Sequence, residues 1–196
     1  MATGTPTDIR SRRREQTRAE ITAAAWQLAE RDGIAGLSLR DLAVEVGMRA
    51  PSLYTYVENK AAIYDEMFAA GYHELAEVLH EVELDVGDPI SALEGRIAAF
   101  IDFCQASVPR YQLMFTRAVP EWRPSDAAYA VSVKTYERMT HDLGRLGIDA
   151  PEAVDLVTAV TAGLAAQQLA NDPDGDRWRR LGRDAAEMIL AQTRRM

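Results

Sequence analysis

Apolar residues recur along this chain at intervals of three and four and not in strict alternation, a pattern that predicts helices throughout and no strand. The first stripe is Ile21, Ala24, Ala25 and Leu28, in a helix expected over residues 13–32 and closed by Gly33. A second stripe, Leu39, Leu42, Ala43 and Val46, follows Ser38. Asp41, three residues after Ser38, completes a capping box in which each side chain satisfies a free backbone N–H. Gly47 ends that helix. A very short third helix is expected at about 50–56, with Pro51 in its first turn, where a missing N–H costs nothing. Asn59 caps a fourth helix that runs to about residue 83. A break at 85–88 precedes five more helices, at about 89–107, 109–115, 126–146, 152–170 and 176–193. The fold class is therefore all-α, nine helices in two domains, the boundary lying within or after the fourth helix. Residues 1–12 are expected to form a mobile basic tail.

With 196 residues, 47% of them hydrophobic, the chain can bury a substantial core and is not a disordered one. The longest charge-free run, 156–171, is too short to span a bilayer. The N-terminus is polar and Arg-rich, without the apolar stretch of a secretory signal. The single cysteine, Cys104, cannot form an internal disulfide, which fits a reducing cytoplasm. A cytoplasmic location and no membrane partner are the expectation. A net charge of −8 is unusual for a partner of nucleic acid, but its distribution matters more. Residues 1–60 hold nine Lys/Arg against eight Asp/Glu, and the remainder holds thirteen against twenty-two. All the net acidity thus lies outside the first 60 residues, and Arg10, Arg12, Arg13 and Arg14 form the densest basic cluster.

The second and third helices are joined by a turn of three or four residues containing Gly47, the spacing of a DNA-binding helix-turn-helix. Leu42, Ala43, Val46, Leu53 and Val57 make its inner face. Ser52, Thr55 and Tyr56 look outward, with Tyr54 at the edge. Short side chains at the start of the second helix let the backbone approach base edges. The tyrosine hydroxyls and Lys60 suit phosphate oxygens, contacts that fix register but carry no sequence information.

Over about residues 15–75 the sequence resembles the TetR family of bacterial transcription regulators. The resemblance rests on residues 21–28, on Ser38-Leu39-Arg40-Asp41-Leu42-Ala43, and above all on Leu53-Tyr54-Thr55-Tyr56-Val57-Glu58-Asn59-Lys60. It implies a homodimer with a DNA-binding domain at about 13–75 (motif 38–57) and a variable domain at 76–196 for dimerisation and effector sensing. By position, Arg40, Ala50, Pro51, Ser52, Tyr54, Tyr56 and Lys60 then contact DNA. Two departures matter. Arg49 stands where the family often has a small polar cap, and Ala50 where a base-reading side chain can occur, which moves base reading onto Arg40, Arg49 and Ser52. The implied function is a regulator, by default a repressor, released from a palindromic operator by a small molecule, with no cofactor, no metal and no catalytic residue.

The eighth helix is rich in small residues (Ala159, Ala162, Gly163, Ala165, Ala166, Ala170) and neutral or apolar nearly all round, which predicts burial. The ninth offers a stripe of Trp178, Leu181, Ala185, Met188 and Ile189. Pairing of 152–170 and 176–193 with their copies in a two-fold four-helix bundle is the expected dimer contact. Candidate walls for an effector pocket, apolar with a few polar groups, are Phe100, Phe103, Cys104, Tyr111, Met114, Phe115, Trp122, Tyr129, Tyr136 and Gln167, for a small apolar or amphipathic ligand. Residues 109–115 resemble a recurring C-terminal type within the family that names no ligand. Two competing classes are a helical-bundle metalloenzyme and an architectural DNA protein. The first would use Glu77 and His80 with His73, but a di-metal bundle needs a second Glu-x-x-His, which is missing. The second is opposed by the acidic C-terminal half, since non-specific binding rests on phosphate neutralisation.

Overall fold

The structure, a computed structural model, describes residues 6–195. Its α-helices are α1 (Pro6–Asp32), α2 (Leu39–Glu45), α3 (Ala50–Leu53), α4 (Lys60–Glu81), α5 (Pro89–Ala106), α6 (Val108–Phe115), α7 (Asp126–Arg145), α8 (Pro151–Asn171) and α9 (Gly182–Thr193). Two short 3-10 turns, Ile34–Gly36 and Arg179–Leu181, complete the described elements.

The helix ends follow the caps legible in the sequence, except that the box at Ser38 closes on one side only: the Asp41 carboxylate accepts from the Ser38 hydroxyl at 2.5 Å and not from its backbone amide. Ser38 Oγ accepts from the Asp41 amide at 3.1 Å, Asn59 Oδ1 from the Ala62 amide at 3.0 Å, and Asp88 Oδ1 from the Ser91 amide at 3.1 Å. Each such cap satisfies one donor that the helix itself cannot, worth about 1 kcal/mol. One expectation needs correcting. A tail over residues 1–12 is expected, yet residues 6–12 are the first turns of α1. Pro6 occupies a position where its lost N–H is free of cost, and the helix runs on without a glycine until Gly33. Residues 1–5 lie outside the described residues.

α4 joins the two halves. Its first half packs on α1, and the rest on α5, α6 and α7. Ile63, Tyr64, Met67, Phe68 and Leu75 are its buried stripe. At the N-terminal end Glu66 accepts from Arg18 of α1, with Thr22 Oγ1 donating to the other carboxylate oxygen at 3.3 Å. Tyr64 and Lys60 reach back to the turn before α2: Tyr64 Oη donates to the Ile34 carbonyl at 2.9 Å, and Lys60 Nζ to that of Ala35 at 3.2 Å. Further along, α4 approaches α6 closely. A Cβ on Gly71 would lie 2.6 Å from Met114 Sδ, so only a glycine permits this spacing without a shift of Met114.

α5 is the central helix of the C-terminal half, covered by α4, α8 and α9. The loop from α8 to α9 is organised by Gln168, wholly buried on α8. Its amide nitrogen donates to the carbonyls of Asp172 and, at 3.1 Å, Gly175. Its oxygen accepts from the amides of Trp178 at 2.8 Å and Arg179 at 3.1 Å. α8 departs from expectation in one respect: in the protomer only 28% of its most apolar window is buried. Ala153, Val154, Val157, Ala165 and Gln168 face the core, while Ala159, Ala162, Gly163 and Ala170 are not buried. By length and composition alone α8 could cross a membrane. Its packing on α5 and the Gln168 network make it one wall of a folded domain.

Candidate nucleic-acid interface and cavity

The turn between α2 and α3 is set by Gly47, whose φ of 65° lies in the left-handed region. The Met48 amide donates to the Ala43 carbonyl at 2.8 Å and the Gly47 amide to that of Val44 at 3.0 Å, a Schellman-type closure of α2. α3 is only four residues long, but its hydrogen bonding continues as a tightened turn. The Tyr56 amide donates to the Leu53 carbonyl at 2.8 Å, and the Val57 amide to the same carbonyl at 3.0 Å. Leu53 and Val57 are fully buried and anchor this stub from behind. Arg49 precedes it in extended conformation without a side-chain cap bond, so the stub starts on backbone bonds alone.

The outward face of the stub carries most of the residues expected there. Arg40, Arg49, Ala50, Pro51, Ser52 and Tyr54 are all exposed, Tyr54 at 54%, which removes it from the core. Tyr56 and Lys60 are partly covered. Lys60 holds the Ala35 carbonyl and lies 5.4 Å from the Tyr64 ring centre, and an ammonium has two further donors. Two residues that sequence reasoning misses belong to this region. Arg14 of α1 donates to the Thr55 carbonyl at 2.9 Å and lies 5.7 Å over the Tyr56 ring, bracing the C-terminal end of the stub. Its signal is membership in the Arg cluster, eight helical residues before the Thr22 that marks the α4 contact. Val44, 74% exposed on α2, is the most open of the large apolar residues among the described residues.

In the C-terminal half, α4, α5, α7 and α8, with Phe115 of α6, line a partly open cavity of about 490 Å³. Of the expected wall residues it takes Phe100, Phe115, Tyr129 and Tyr136. Met114 and Trp122 line a separate recess of about 230 Å³, which Tyr129 also borders. The other four lie elsewhere. Phe103 and Cys104 are buried in the core, Phe103 beneath the Arg110 guanidinium at 3.9 Å. Burial pushes the Cys104 thiol up to about 12. Tyr111 packs on Phe115, ring centres 5.9 Å apart, and burial raises its phenol as well. Gln167 is exposed and holds Asn171 at 2.8 Å; its neighbour Gln168 is the buried amide. The physical reasons are helical phase for Gln167 and level along the helix for Phe103 and Cys104. Gln167 lies about 100° around the helix from Gln168, whereas Phe103 and Cys104 share the Phe100 face but lie about one turn further along α5, past the end of the cavity wall.

Wall residues that a sequence reading passes over include Tyr72, Arg96, Ser132 and Thr161. Tyr64, Phe68 and Tyr72 form an aromatic series at i, i+4, i+8 that is plain in the sequence. It continues in space. Tyr64 pairs with Trp122 (5.7 Å), Trp122 with Phe68 (5.7 Å), Phe68 with Tyr72 (4.8 Å), Tyr72 with Phe115 (5.9 Å) and Phe115 with Phe100 (5.3 Å). Trp122 is itself tied to α4, its indole donating to Asp65 Oδ1 at 3.1 Å. An unbroken run of rings thus connects the cavity wall to the helix start that bears Lys60. Burial pushes the Tyr72 phenol up to about 12. Glu77, His80 and His73 do not gather: His80 Nδ1 meets Arg138 Nη2 at 2.6 Å, and no cluster of three or more His, Cys, Asp or Glu fit to hold a metal occurs among the described residues.

A capped helix, a glycine turn and a tyrosine-bearing stub held from behind coincide with a family description. Residues 21–67 match "Bacterial regulatory proteins, tetR family". Those residues, from within α1 to the first half of α4, are what the chain shares with that family. A curated relative, the uncharacterized HTH-type transcriptional regulator YobS of Bacillus subtilis (strain 168), is 32% identical over 88 residues. That match covers 44% of this chain and 45% of the relative, so the chain matches less than half the relative's length. Among solved structures, the TetR family transcriptional regulator PfmR from Thermus thermophilus superposes with a TM-score of 0.63 at 22% identity, covering 87% of this chain and 97% of that one. A single-substitution variant of TetR from Acinetobacter baumannii AYE, solved in complex with minocycline, superposes at 0.58 and 20% identity, covering 89% and 94%. At such identities these two likenesses concern the fold. They extend the shared fold beyond the helix-turn-helix, through the C-terminal helices.

Proposed function

We propose that this chain is a sequence-specific DNA-binding transcription regulator, a repressor that acts in the cytoplasm as a homodimer and leaves a palindromic operator when a small molecule enters the α4–α5–α7–α8 cavity. The observation that carries the DNA reading is the α3 stub: Leu53 and Val57 buried behind, with Arg49, Ala50, Pro51, Ser52 and Tyr54 open in front. A four-residue helix is not stable alone, so the fold maintains it for what it presents. In a major groove, Arg40, Arg49 and Ser52 read bases while Tyr54, Tyr56 and Lys60 hold phosphates.

The dimer reading is supported by the open small-residue face of α8 together with Leu181 and Met188 near and on α9. A two-fold pair presents its reading heads to successive major grooves only when they are about 34–36 Å apart. A ligand releases DNA to the extent that it prefers a different spacing. Reversing a 99:1 population to 1:99 requires about 5.5 kcal/mol of differential affinity. α4 carries that preference between the halves: the ring series links the cavity wall to its first turn, and Tyr64 and Lys60 fasten that turn to the helix-turn-helix.

The test is selection of bound duplexes from a random pool with the purified full chain. The reading requires recovery of a palindrome bound at least about a thousandfold more tightly than random sequence at physiological salt. Similar affinities for selected and random duplexes would move the chain to the architectural class.

A further inference from the structure

The polar content of the cavity is small and unevenly used. Arg96 is the one charged residue among its lining residues. It is buried on α5, and its Nη2 donates to Asp142 Oδ2 at 2.8 Å, so its charge is already balanced. Its Nε is buried without a partner among the described residues, and the same holds for Thr161 Oγ1 on α8. The other serine and threonine hydroxyls of the wall are committed to backbone carbonyls, and Tyr72, Tyr129 and Tyr136 add phenols. Ser132 donates to Tyr129 at 2.7 Å, Thr135 to Val131 at 3.1 Å and Thr158 to Val154 at 3.0 Å. Around them the wall is aliphatic and aromatic, with Tyr72, Phe100, Phe115 and Met139 among its members.

From this we infer the chemical class of the ligand: a neutral, largely aromatic or alicyclic molecule bearing a hydrogen-bond-accepting oxygen, a ketone or ester type of group, read by Arg96 Nε–H and the Thr161 hydroxyl. A buried donor without an acceptor is costly, and an oxygen that pairs with it recovers that cost without displacing an existing bond. A carboxylate fits less well, because Asp142 already holds the guanidinium and a second negative charge would arrive beside the first. Both atoms lie just behind the wall surface, so the ligand oxygen meets them as the Arg96 and Thr161 side chains turn towards the cavity.

The inference rests on the cavity being the effector site, and the experiment keeps the two separable. Three probes of one skeleton, diphenylmethane, benzophenone and diphenylacetate, are titrated calorimetrically into the full chain, and operator affinity is measured with and without each. Benzophenone is expected to bind about tenfold more tightly than either of the others, the difference that one recovered hydrogen bond supplies. Thr161→Val, which removes the hydroxyl at constant volume, should reduce the benzophenone advantage at least about threefold and leave diphenylmethane unchanged. Arg96→Lys, which keeps the charge but lacks Nε, should do the same. Equal binding of diphenylmethane and benzophenone, or tightest binding by diphenylacetate, overturns the ligand class. Benzophenone preference without any change in operator affinity leaves the class standing and removes the effector reading; binding of none of the three removes both.

Discussion

Tyr64→Phe isolates the joint between the two halves of the molecule. Tyr64 is 2% exposed, and the substitution keeps its ring, including the contact with Trp122 at 5.7 Å. What disappears is one hydroxyl, donating at 2.9 Å to the Ile34 carbonyl in the turn ahead of α2. Losing a buried bond and leaving its acceptor unpaired costs about 1–3 kcal/mol. For a chain of 196 residues, about 2 kcal/mol lowers Tm by about 4–8 °C. The same turn receives Lys60 at the Ala35 carbonyl, one residue on. The two bonds therefore hold one object, and Tyr64→Phe with Lys60→Ala should be non-additive by about 0.5 kcal/mol or more. Urea unfolding followed by tryptophan fluorescence supplies the free energies, with Trp26 placed in α1 and Trp122 beside Tyr64. A Tyr64→Phe protein within about 0.3 kcal/mol of wild type would refute the reasoning, as would strict additivity of the pair.

Arg40→Ala should cost about 1–3 kcal/mol of operator affinity and relax preference at one base position, whereas Lys60→Ala should weaken all duplexes alike and lower the salt slope by about one. Competition binding against single-position operator variants at several salt concentrations separates these, and a uniform loss for Arg40→Ala would make it a phosphate contact. Gly163→Glu should yield a folded monomer by sedimentation, since a Cβ at Gly163 meets nothing within 4 Å in the protomer while the proposed two-fold face would receive a charge; a dimer of unchanged strength would move the interface away from α8. Alkaline pH should destabilise the chain. Cys104 and Tyr72 hold their protons up to about 12 when folded, against ordinary values of 9.0 and 10.0, so the unfolded state releases them first. Stability is then complete below about pH 9 and falls above it by at most about 1.4 kcal/mol per pH unit for each group. Cys104→Ala should flatten the fall between about pH 9 and 10, measured by urea midpoints, and an unchanged slope would contradict the burial argument.

Much of this fold can be read from spacing because its signals are local. Ser38, Gly47, Asn59 and Pro51 each act within one turn, and each does in space what its residue type requires. The start of α1 is easily misread, because a run of charge suggests a tail although arginine is a good helix former. The cavity is half legible. Phe100, Phe115, Tyr129 and Tyr136 declare themselves as aromatics at helical spacing, but a bare sequence does not say how far along α5 the cavity reaches, which leaves Phe103 in the core, nor that Tyr72 faces the wall. Arg96 is hidden for another reason. Its neutralising partner, Asp142, lies 46 residues away on a different helix, and no local pattern announces such a pair.

A single primary amide has an outsized say in how this molecule can change shape. Because the Gln168 side chain grips four main-chain groups, the connection that turns the chain from α8 into its last helix has no slack of its own. The final two helices are then obliged to travel together, an anvil rather than a hinge. Whatever a bound molecule displaces must be taken up on the opposite bank, where α4 and α7 lean on one another.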